Sequence, residues 1–75
     1  MKQYLAIIFL DTAYSTEPVF LGIFDDYEKA KKRVDLHLDI LRTIEEDTHD
    51  GAFGWVVEFE LNKPGFVKRT LIGTV

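Results

Sequence analysis

Tyr4-Leu5-Ala6-Ile7-Ile8-Phe9-Leu10 is apolar on both faces of an extended chain. Tyr4, Ala6, Ile8 and Leu10 point one way and Leu5, Ile7 and Phe9 the other, because successive side chains of a strand alternate. A strand without a polar face needs cover on both sides, which places it at the centre of a sheet. Further extended stretches run from Val19 to Phe24, Trp55 to Leu61 and Phe66 to Ile72. A single segment is helical in period: Tyr27, Ala30, Val34, Leu38 and Leu41 recur at spacings of three and four and fall on one arc. A helix is roughly 10 Å across, whereas four strands at about 4.8 Å spacing make a sheet roughly 19 Å wide with two faces to shield. One helix cannot cover that surface, and another protein chain is the expected cover.

The connections order these elements. Asp11 to Pro18, with Ser15 and Thr16, is turn-like and joins the first two strands as an antiparallel pair. Asp25 followed by Glu28 has the spacing of a capping box at the helix start. Trp55-Val56-Val57-Glu58-Phe59-Glu60-Leu61 alternates, with Trp55, Val57, Phe59 and Leu61 on one face. Asn62-Lys63-Pro64-Gly65 places Pro and Gly where a type II turn wants them, giving a second hairpin. Across that hairpin Glu58 and Glu60 are expected to meet Arg69. The predicted architecture is a single α+β domain over 1–75, ββαββ, with a mainly antiparallel four-stranded sheet and one helix on one face.

At 75 residues, 47% hydrophobic and without cysteine, the chain is near the lower size limit for a self-sufficient core. Oligomerisation is the remaining way to add buried area. A formal charge of −4 argues against direct nucleic-acid binding, which needs a basic face. Met1 to Leu10 has the charged start and apolar run of a signal peptide, but the run is short and ends at Asp11 without a small-residue cleavage site. A buried strand is the better reading. No segment has the length of a membrane span, so the expected location is the cytoplasm.

Catalytic templates fail one after another. Glu58 and Glu60 share a strand face and could serve as acid and base, but a solvated face paired to Arg69 explains them. Glu46-Asp47-Thr48-His49-Asp50-Gly51 resembles the start of a calcium loop, yet its register puts Val57 where a bidentate Glu is required. His37 and His49 have no partner at ligand spacing, Ser15 lies in a turn, and Gly51 and Gly54 read as punctuation. No catalytic residue, metal or cofactor is expected.

Two features of the helix surface are less easily absorbed. Leu36, Ile40 and Ile44 form a second apolar ridge, which is either a widened core face with packing under the Thr43 to Gly54 loop or a partner contact. Glu28, Asp35, Asp39 and Glu46 form an acidic stripe roughly opposite the core arc. That stripe is either solvated and moderated by Lys31, Lys32 and Arg42, with Glu28 and Lys32 as an i,i+4 pair, or an imitation of a phosphate row.

Phe20-Leu21-Gly22-Ile23-Phe24-Asp25-Asp26-Tyr27-Glu28-Lys29-Ala30 resembles the strand, tight turn and helix start of small ββαβ-type domains in uncharacterised phage and bacterial proteins. The likeness covers the first half of the chain and transfers no functional residue. It implies a small phage product that binds and redirects a host protein. The expected function is therefore a non-enzymatic binding module, a phage-type inhibitor or modulator of a host protein. It is expected to self-associate as a homodimer through two sheet faces or two helices. The alternatives are an acidic mimic that blocks a nucleic-acid-binding protein and a structural subunit of a larger assembly.

Overall fold

The elements follow in the order β1 (Lys2–Asp11), β2 (Thr16–Phe24), α1 (Tyr27–Thr43), β3 (Gly51–Glu60) and β4 (Lys68–Thr74) in a computed structural model that describes residues 1–12, 14–43 and 51–75. The strands form one antiparallel sheet in the order β2-β1-β3-β4, so β1 is central as its two apolar faces require. Both β2 and β3 run antiparallel to β1 and hence parallel to each other. Their connection must cross the sheet, and α1 makes that crossing on one face.

The core lies between α1 and the sheet. Ala30, Val34, Leu38 and Leu41 pack on Ala6 and Ile8 of β1 and on Ala52 and Val56 of β3, with Tyr27 and Tyr4 meeting edge to face at the margin. The helix therefore lies on the small-residue face of β3, opposite the face of Trp55, Val57 and Phe59. Gly54 explains the choice. A Cβ there would overlap Val34 Cγ1 and stand 3.0 Å from Leu38 Cδ1. This glycine is a close-packing position within β3 and not the punctuation that the sequence suggests.

Both edge strands are bulged. The β1–β2 register shifts between Ala6 and Ile7, which inserts Leu21 beside Gly22 at φ +146°, and the β3–β4 register shifts between Gly54 and Trp55, which inserts Ile72. Each inserted side chain turns into the core. Beyond the assigned strands, Leu61 N–H donates to Met1 O at one end of the sheet, and at the other Val75 N–H and Ala52 N–H donate to each other's carbonyls.

Local details depart from expectation at three points. The helix cap is Asp26, whose Oδ1 accepts the Glu28 N–H at 3.1 Å, while Asp25 instead pairs with Lys29 at 3.3 Å. With two adjacent aspartates, the cap is the one whose carboxylate reaches the second helical N–H. The second hairpin needs the longer connection 61–67, with Asn62 at φ 66° and Gly65 at φ 79°. Register then places Lys68, not Arg69, opposite Glu58 and sends Arg69 through to the other face, because a one-residue step reverses a strand side chain.

Candidate protein-binding surfaces

The outward side of α1 carries most of the residues singled out as partner-binding. Leu36 is 55% and Ile40 46% exposed, so neither belongs to a widened core face among the described residues. Glu28, Asp35 and Asp39 are exposed beside them. Asp39 accepts from Arg42 Nη1 at 2.8 Å, and Arg42 also reaches Thr74 O at 3.4 Å, pinning the helix end to β4. Glu28 and Asp35 form no ion pair among the described residues, so the expected Glu28–Lys32 pair is not made. Ile44, Glu46 and His49 lie outside the described residues.

A second surface is larger. The sheet face away from α1 presents Leu5, Ile7 and Phe9 of β1, Phe20 and Ile23 of β2, Phe53, Trp55, Val57 and Phe59 of β3, and Leu71 of β4. Its rim is open: Phe20 is 68%, Ile23 61%, Leu71 48% and Phe53 41% exposed. Ile7, flanked in register by Phe20 and Trp55, is shielded by the face itself. Arg69 lies over this face with its guanidinium 5.5 Å from the Trp55 ring centroid and 5.8 Å from that of Phe66, a cation–π arrangement at the β4 edge. Two-faced apolar strands predict such a surface. The individual residues depend on which face the helix takes, and that is decided by Gly54.

The carboxylate pair of β3 is separately neutralised. Glu58 meets Lys2 at 3.5 Å and Glu60 meets Lys63 at 2.8 Å. Glu58 also lines an open depression of about 370 Å³ with Tyr27, Val56, Lys68 and Thr70. Among the described residues no three of His, Cys, Asp or Glu are grouped so as to hold a metal ion, and no helix is long and apolar enough to cross a membrane.

On the flank of α1, partial burial holds the His37 imidazole below its ordinary pKa of 6.5, and the nearby Arg33 guanidinium lowers it further. The buried Arg33 Nη1 has no hydrogen-bond partner among the described residues, so this flank is already short of acceptors. Between the lowered pKa and 6.5 the unfolded chain binds more protons than the native one, so stability falls as pH drops through that window. His37→Gln should flatten this dependence, read as urea midpoints between about pH 7.5 and about pH 5. An unchanged slope would mean that His37 is not the group responsible.

Compared with family models, curated proteins and solved structures, the chain matches none.

Proposed function

We propose that this chain is a small non-enzymatic protein-binding module, a phage-type inhibitor or modulator that engages a host protein through the outward side of α1. The observation that carries this reading is the exposed pair Leu36 and Ile40, set among Asp35 and Asp39 on a face that neither the core nor the caps require. Apolar side chains ringed by charge are the usual make-up of a modest interface, in which the apolar pair supplies desolvation and the charges set orientation and encounter rate.

The test is capture from the natural host lysate with wild-type chain and two variants. A stoichiometric host protein retained by wild type and lost by Leu36→Asp/Ile40→Asp is the expected result. Recovery of the chain alone, or of assembly components only, would replace the inhibitor with a structural subunit.

Glu28 and Asp35, exposed and without an ion pair among the described residues, favour a second reading, in which the target is a nucleic-acid-binding protein and the acidic residues stand in for phosphates. Capture should then weaken steeply as salt rises through the physiological range, and Asp35→Asn/Asp39→Asn should reduce it. Losing the exposed Asp39–Arg42 pair costs at most about 1 kcal/mol of stability, so the double variant stays folded. Salt-insensitive capture removes this second reading and leaves the apolar pair.

A further inference from the structure

We infer that the open face of the sheet docks against the same face of a second copy, giving a dimer of four layers with the sheets inside and the helices outside. Area comes first. Strands of seven to ten residues at about 3.3 Å rise, in a sheet roughly 19 Å wide, present a projected face of roughly 500–600 Å². Two such faces together bury on the order of 1,100 Å² or more, above the roughly 1,000 Å² that a specific interface needs.

Composition points the same way. The centre of the face is Leu5, Ile7, Trp55 and Val57, flanked by Phe9, Phe53 and Phe59, and Arg69, its one cation among the described residues, lies at the β4 edge on aromatic rings. Interface centres are depleted in charge and enriched in aromatics, and the middle of this face is uncharged and aromatic, whereas α1 offers the two aliphatic side chains Leu36 and Ile40 within a charged surround. With no central charge demanding an opposite partner, the face is complementary to itself. Two identically twisted sheets stack about 10 Å apart at a small angle, and a twofold axis closes the assembly.

The competing route to a dimer, edge pairing, is obstructed at both edges. β2 carries Pro18 and the bulge at Leu21, and β4 carries Lys68, Arg69 and the bulge at Ile72. Proline, charge and bulges are the devices by which edge strands avoid pairing. The face remains, and its occupation leaves both α1 surfaces outward, so the dimer would present the helix twice.

Sedimentation of the purified chain at low micromolar concentration tests this without any target. The expected mass is twice 8.7 kDa, and a monomer overturns the proposal. Phe20→Glu and Leu71→Lys lie on exposed positions of the edge strands, outside the core, and should weaken self-association on the order of a hundredfold or more by burying charges without partners. A dimer that survives both, or one abolished by Leu36→Asp/Ile40→Asp, overturns the proposal. Trp55 is the sole tryptophan and supplies a readout without substitution. Its emission should move to longer wavelength as wild-type chain is diluted through dissociation, and an unmoved emission while the mass halves also overturns it.

Discussion

Gly54→Val should leave the chain unable to hold its helix on the sheet. Even the single methyl of Gly54→Ala overlaps Val34 Cγ1 and crowds Leu38, both fully buried, so neither neighbour can swing into solvent. Overpacking of this kind costs about 1–3 kcal/mol for alanine and more for a branched side chain. At roughly 0.05–0.15 kcal/mol per residue, a chain of 75 residues has only about 4–11 kcal/mol in total. Urea denaturation of Gly54→Ala should show the midpoint falling, and Gly54→Val should show no cooperative transition. The cause is checked by a cycle. Val34→Ala alone costs about 2 kcal/mol, but combined with Gly54→Ala it makes room for the added methyl, so the double variant should be at least about 1 kcal/mol better than the sum. Simple additivity would mean that the clash with Val34 is not what Gly54 avoids.

Leu38→Ala should be the most damaging truncation on the helix. Leu38 is fully buried over β3 and touches the space left by both Gly54 and Gly73. Removing it leaves a cavity that the backbone on either side cannot close, with an expected loss of about 2–5 kcal/mol. For a domain of this size that lowers Tm by on the order of 10–30 °C. Leu36→Ala, two residues earlier and exposed, should stay within about 0.5 kcal/mol of wild type. Comparable losses at the two positions, by thermal scan, would contradict the orientation of α1 described above.

These two positions mark what could be read from the sequence and what could not. The orientation of α1 was legible because a period of three and four fixes one arc, and Ala30, Val34, Leu38 and Leu41 occupy it. The central place of β1 was legible because no polar side chain interrupts it. The side of β3 that receives the helix was not. Alternation shows that two faces exist, and the bulkier set, Trp55, Val57 and Phe59, has the look of a core. The physical signal was the opposite one: Ala52 and Gly54 are small at alternate positions because Val34 and Leu38 supply the volume. Arg69 was misplaced because its face depends on the length of the connection 61–67, which the local sequence does not specify. The helix-borne residues of the candidate site follow from the helical wheel. Those of the open face wait on knowing where the helix sits.

The hydrogen bonds at the two ends of the sheet bear on how the domain carries load. Met1 is held at the Leu61 end and Val75 at the Ala52 end, so the chain enters and leaves at opposite ends of the sheet. β1 and β4 each run antiparallel to β3 and thus point the same way. Tension between Met1 and Val75 therefore pulls these strands lengthwise past β3, and the rungs of both ladders resist together in shear, where a hairpin pulled from one end would open rung by rung. A domain tethered at both ends would act as a stiff, inextensible link.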